Sequence, residues 1–329
     1  MGLKGIVLAA VLGASCVFAM KADAQVHKRV MEVEGAWTHL SGMTFPTQLL
    51  GYSRKSLVDY SVVSIADVAG QYESADGKTT ILVYAFRPGV GNSAVLADFS
   101  LQWWRAQGAT TSTAPADFTI ADGEKPNGWR FMSRMPNLSV ASALAQGDDG
   151  WIFKVSVILA SQPDLDPNTI LDQAIGAIEW PQSVRHATQQ PLPQPCAEQE
   201  RPDQDAVVRE QVSFDELKAS MSYAQEWTEY CRGPWFLESG VYRPINGAKG
   251  YVIVRDESGI GLLIHPNETK NNKGFSVILR RAMEFGLFPG FESEPTPEQI
   301  VAVTRGRGPV ARLTLSADGS VISASQAGR

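Results

Sequence analysis

The chain has 329 residues, 44% of them hydrophobic, with a formal net charge of -6 and three cysteines. A mildly acidic chain lacks the basic footprint of a nucleic-acid binder. Its apolar content is ordinary for a globular protein, and its length suits two domains of about 150 residues each.

The first residues read as a leader. Lys4 precedes an apolar run from Ile6 to Met20, and Ala22-Asp23-Ala24 gives the small-x-small pattern of signal peptidase cleavage. The run is shorter than the roughly 20 apolar residues of a membrane span. Gly13 stands three before Cys16, where a lipoprotein signal needs a branched apolar residue. The expectation is a cleaved export signal over 1–24, an arm over 25–36, and a soluble mature chain without a transmembrane segment. An uncleaved anchor is the alternative.

From 37 to 181 the pattern alternates strands and helices. "YSVVSIADVAGQYES" and "TTILVYAFRPG" flank Asp76-Gly77, a pair that favours a tight hairpin. In "SAVLADFSLQWWRAQG", Leu96, Phe99 and Trp103 share a helical stripe that Gly108 closes. "GWRFMSRMP", "SVASALAQ" and "WIFKVSVILA" read as strands, the last two joined at Asp148-Asp149-Gly150. Asp166 then caps a helix opened by Pro167, with Ile170, Leu171, Ala174, Ile175 and Ile178 on its apolar face.

This order of strands and helices over Gly51 to Pro181 resembles the α-β-α sandwich of the photosystem accessory protein PsbP and its bacterial relatives. The resemblance rests on element order, without a signature motif, so it transfers no functional residue. It implies a binding or assembly-factor domain.

Residues 182–205, including "QQPLPQPCAEQERPDQD", are rich in proline, glutamine and charge, which favours an extended connector. The second region, 206–329, opens with a helix marked by a Ser213/Glu216 capping box and a Val212–Leu217 staple. That helix is expected to run to Gly233-Pro234. "GYVIVRD" and "GIGLLIHP" predict a hairpin around Glu257-Ser258-Gly259, and "FSVILRRAMEFG" predicts a second helix. "TPEQIVAVTRG" predicts a third, capped by Thr296 with Gln299 in the box position. "ARLTLS" and "VISAS" predict a last hairpin through Asp318-Gly319. The expected fold class is therefore α+β, with two domains, each an antiparallel sheet packed with helices.

Two cysteines remain after the leader, Cys196 and Cys231. An even pair in an oxidising compartment reads first as a disulfide. Free buried thiols are a second reading. A third makes Cys231 a nucleophile with His265 as its base. Against that third reading, the expected helix C-terminus at Cys231 disfavours a thiolate. No Cys-x-x-Cys or His-x-x-x-His spacing suggests a metal, and "DLDPNT" at Asp164 lacks the calcium-loop glycine and glutamate. No cofactor motif appears in "RPGVGNS" or "RGRGP". Arg305 and Arg307 still place two cations on one loop, as candidates for contact with an anionic ligand or partner. No Gly-x-Ser-x-Gly or Ser-x-x-Lys signature is present, and Asp148-Asp149 sits on a predicted turn. Trp103 and Trp104 read first as core, and "GPWF" and "FGLFPGF" as apolar loops that either cover a core or form a contact surface for a ligand or partner.

These residues lead to an exported, periplasmic protein, with secretion as the alternative location. It acts as a non-catalytic binding or assembly-accessory module for an unknown protein or small-molecule partner in the cell envelope. The competing class is an exported enzyme with a Cys231/His265 site.

Overall fold

In "FSVILRR" the apolar residues Val277, Ile278 and Leu279 are consecutive, and two structures can bury such a run: an interior helix, or a strand covered on both faces. The computed structural model takes the second. It describes residues 28–61, 65–111, 113–120, 125–162, 164–197, 204–223, 227–269, 272–316 and 320–326; the leader and the Asp318-Gly319 turn lie outside the described residues.

Among the described residues sheet outweighs helix, and it is arranged as two large, mainly antiparallel sheets and a two-stranded one that pairs Trp37–Thr38 with Thr44–Phe45. The first is built from β1 (Tyr52–Asp59), β2 (Asp67–Glu73), β3 (Thr79–Phe86), β4 (Gly128–Met135), β5 (Leu138–Gln146) and β6 (Ile152–Ala160). Their spatial order is β1-β2-β3-β6-β5-β4, with Arg29–Val30 outside β1 and Thr110–Thr111 outside β4. Helix α1 (Ser93–Ala106) connects β3 to this second half, and α2 (Pro167–Ala177) follows β6. The Asp76-Gly77 hairpin forms as its sequence requires, with Gly77 at φ 67°. β1 is an addition that sequence reading missed, since "YSRKSLVD" alternates exposed and half-buried side chains along most of its length.

The second sheet is a meander: β7 (Tyr230–Phe236), β8 (Ser239–Pro244), β9 (Tyr251–Val254), β10 (Gly261–Thr269), β11 (Asn272–Arg281), β12 (Glu284–Phe291), β13 (Ala311–Leu315) and β14 (Val321–Gln326), each paired with the next. Gln194–Pro195 adds a short parallel piece outside β7. Helices α3 (Gln182–His186), α4 (Phe214–Tyr223) and α5 (Pro297–Thr304) complete the described chain. The capping box of α5 is present at Thr296 and Gln299, and Ser213 and Glu216 exchange the same pair of hydrogen bonds at α4.

Three expectations are corrected here. "FSVILRRAMEFG" is the hairpin β11–β12, because both of its faces are covered. Ile278 lies in the cluster facing the first sheet, while Val277 belongs to the cluster on the opposite side. "EYCRGPWF" is strand β7 and not a helix end, so the helix-dipole objection to a thiolate at Cys231 does not apply. "FGLFPGF" is the buried strand β12 and offers no loop surface. A bulge accommodates proline inside a strand. The register shifts between Arg232 and Trp235, and between Phe275 and Val277, place one at each of Pro234 and Pro289. The connector 182–205 also contains structure: Val184 of α3 is fully buried.

α1 lies between the two sheets. Val95, Leu96 and Phe99 share one buried cluster with Phe131, Leu144 and Ile152 of the first sheet and with Tyr242, Val252, Leu263 and Ile278 of the second. The opposite face of the first sheet packs Val68, Val83, Phe153 and Val155 with Leu171, Ala174 and Ile175 of α2. Burying each large apolar side chain is worth about 1.5–3 kcal/mol, so this shared cluster couples the sheets.

"RPGVGNS" is the second point of coupling. Val90 N–H donates to the Gly259 carbonyl at 2.9 Å. A Cβ on Gly89 would stand 2.3 Å from the Arg280 carbonyl oxygen. The glycine is therefore there for close backbone approach. Gly89→Ala is expected to lower the unfolding free energy by about 1–3 kcal/mol. Gly176→Ala in α2, where nothing lies within 4 Å of the added carbon, is expected to raise it by about 0.5–1 kcal/mol. Urea titrations of the two variants check both signs.

Candidate functional site

Cys196 and Cys231 form a disulfide across a sequence separation of 35 residues. Strand pairing sets this up: Gln194 and Pro195 run parallel to Cys231 and Arg232, and Cys196 N–H donates to the Arg232 carbonyl at 2.9 Å. Upstream, the same connector is held by the first sheet. Trp129 Nε1 donates to the Gln190 carbonyl at 2.8 Å, and Gln189 Nε2 to the Gly128 carbonyl at 2.7 Å. The bond thus fastens a segment carried by the first sheet to the edge of the second.

His265 is buried, and loss of hydration pushes its pKa down to about 4. Its Nε2 lies 2.6 Å from Ser220 Oγ and its Nδ1 2.8 Å from the Pro266 carbonyl. Beside it, the buried Glu216 accepts both guanidinium nitrogens of Arg209, at 3.0 and 2.9 Å, and the Ser276 hydroxyl at 3.1 Å. These contacts dock α4 on the second sheet. Arg305 is exposed at the end of α5, and its N–H donates to the Val301 carbonyl at 2.8 Å. Arg307 pairs with Glu210 at 3.4 Å, both side chains being more than half exposed, a geometry worth little. Asp166 caps α2 as expected, and Asp149 accepts the Trp151 N–H in its turn. Among the described residues, no group of three or more His, Cys, Asp or Glu is placed to hold a metal ion.

Sequence reading missed a charged cluster between the sheets. Asp98, in the middle of α1, is 4% exposed. It accepts Arg232 Nη1 at 2.6 Å and the Tyr242 hydroxyl at 3.0 Å. Burial raises its pKa, and Arg232 beside it opposes that shift. The available signal was the acid itself, set inside the apolar stretch "AVLADFSLQWW". Lys154 of β6 pairs in the same way with Glu257 of the β9–β10 turn. Near that turn, Asp67 has its pKa pushed up to about 8, first by loss of hydration and then by the charges of Asp256 and Asp59.

An open pocket lies elsewhere, between α2 and the short strand Ala116–Phe118 at the edge of β4. It holds about 400 Å³ and is lined by Asp117, Phe118, Thr119, Arg130, Asp172, Ile175 and Gly176. Phe118 and Ile175 are buried and form its apolar floor. Arg130 donates to Asp172 at 2.7 Å and to Asn168 at 3.2 Å, and Gln189 donates to Asp117 at 3.1 Å. An apolar floor with a few oriented polar groups is the arrangement that small-molecule sites use. Strand pairing of Asp117 with Trp129 and of Ala116 with Arg130 builds this rim, a long-range placement that no local motif announces.

Comparison with models of known protein families and with characterised proteins finds no match to this chain.

Two outcomes follow from this geometry. Replacing Cys196 and Cys231 by serine is expected to lower stability by about 3–4 kcal/mol, the loop-closure entropy of a 35-residue separation. Differential calorimetry with and without reductant measures the same loss. Asp67 holds a proton in the native state up to about pH 8, whereas an unfolded aspartate loses it near pH 4. Its contribution is complete below about pH 4 and is lost as pH rises towards 8. The urea midpoint is therefore expected to decline more steeply between pH 5 and 8 in the wild type than in Asp67→Asn.

Proposed function

We propose that this chain is an exported protein of the periplasm, cleaved before Gln25, that works as a non-catalytic binding or assembly-accessory module. The observation that carries the reading is the Cys196–Cys231 disulfide. A bond of this kind persists in oxidising compartments. While it stands, Cys231 Sγ cannot act as the thiolate that the enzyme reading requires. His265, the base of that reading, faces Ser220 and the Pro266 carbonyl.

In this account the first sheet is a PsbP-like α-β-α sandwich. Supporting it, α1 shares a cluster with one face of that sheet and α2 with the other. The pocket beside α2 is the place for a small partner. A further contact surface is β14, an edge strand with Val321 59% and Ile322 47% exposed.

Native mass spectrometry of the protein taken from its own compartment tests the reading. The expected mass begins at Gln25 and is lighter than the reduced chain by two hydrogens, with added mass where a partner is retained. A full-length or reduced chain would contradict export to an oxidising compartment. A reduced Cys231 that alkylates rapidly at neutral pH would return the enzyme reading to first place.

A further inference from the structure

We infer that the pocket between α2 and the strand Ala116–Phe118 binds small organic cations that combine an ammonium group with an apolar body; this rests on the binding-module reading and gives its ligand class. Three observations converge. The floor of Phe118 and Ile175 is 5% and 6% exposed, so an apolar body set on it meets side chains already anchored in the core. The volume of about 400 Å³ falls within the range of about 300–1,000 Å³ typical of ligand pockets. One wall is Gly176, in the last turn of α2, where a Cβ would meet nothing within 4 Å. Helices disfavour glycine inside a turn, and here the missing side chain leaves the pocket open.

Charge selects the ligand. The rim carries two carboxylates, Asp117 and Asp172, and one guanidinium, Arg130. Arg130 is committed to α2, with one nitrogen on Asp172 and another on Asn168, so it neutralises Asp172 and holds the helix to β4. Asp117 differs. One of its oxygens takes the Gln189 amide at 3.1 Å, and its other oxygen has no hydrogen-bond donor among the described residues. Asp117 is exposed, so water alone meets that oxygen, and it is the rim charge open to a ligand cation. The anchoring of Arg130 disfavours anions, because a bound carboxylate would first have to displace Asp172.

Chemical-shift titration of the ¹⁵N-labelled mature chain tests this, with benzylamine as the probe and benzyl alcohol and benzoate as its neutral and anionic counterparts. Benzylamine is expected to shift the amides of Phe118, Thr119 and Gly176 saturably, and at least tenfold more tightly than either counterpart. Asp117→Asn is expected to weaken benzylamine about tenfold. Gly176→Leu, which fills the open space from a solvent-facing helix position, is expected to abolish the shifts. Equal affinity for the three probes, tighter benzoate, an absence of saturable shifts, or benzylamine binding untouched by Asp117→Asn would each overturn the site. Should Gly176→Leu perturb the fold, the Asp117→Asn result decides. A mature chain that retains a native partner but shows no saturable benzylamine shifts would overturn this site and leave the accessory-module reading standing. A mature chain that binds benzylamine at this pocket, from a protein whose full-length form is found uncleaved in the cell, would do the reverse.

Discussion

The structure depends on a helix whose first nine residues, Ser93 to Leu101, are all buried. α1 connects β3 to the second half of the first sheet, and the second sheet closes over its opposite face, so Val95, Leu96, Ala97 and Phe99 are all fully buried. A helix placed this way must bury whatever its sequence carries, and the sequence carries Asp98. A lone carboxylate in such a place costs several kcal/mol. Arg232 and Tyr242, from two adjacent strands of the second sheet, both reach it. The acid thus sets how the second sheet lies, because removing either partner leaves a buried charge unmet.

Other features follow from that contact. Arg232 is useful to Asp98 only if β7 is held at the edge of its sheet, and the Cys196–Cys231 bond fixes the residue beside it. The connector that supplies Cys196 is in turn held against β4 through Gln189 and Gln190. The 88–91 loop meets β11 at Arg280 and the β9–β10 turn at Gly259 at backbone contact distance, which requires glycine at 89 and 259. Two sheets that share a helix, a disulfide and an interlocked loop have little freedom to move as separate bodies. Regions with many buried contacts open last.

Much of the local structure was legible in the sequence. Asp76-Gly77, the Asp166-Pro167 helix start and the Thr296 capping box each satisfy a backbone requirement within four residues, so the chain announces them. The failures share one cause. "FSVILRR" and "FGLFPGF" are apolar without alternation because neighbours cover both of their faces, and those neighbours are distant in sequence. The same holds for the pocket. Arg130, Asp172 and Asp117 meet only once α2 packs beside β4. The disulfide was legible from cysteine number and the expected export signal, whereas its role in positioning Arg232 needed the strand register. β1 was lost because its early half alternates and its last three residues are all buried, which blurs a period of two.

The proposed binding role and a rigid frame fit together, since a pocket on a firmly seated helix would be held ready for a ligand. The central claim, that α1 and its Asp98 contact make the two sheets one unit, is tested most directly by hydrogen exchange of the oxidised mature chain across a urea series. The account predicts that core amides of β3, β6, β9 and β11 lose protection together at one midpoint, and that Asp98→Ala moves all four downward together. Loss of protection in β9 and β11 at a clearly lower urea concentration, with β3 and β6 unaffected, would contradict it.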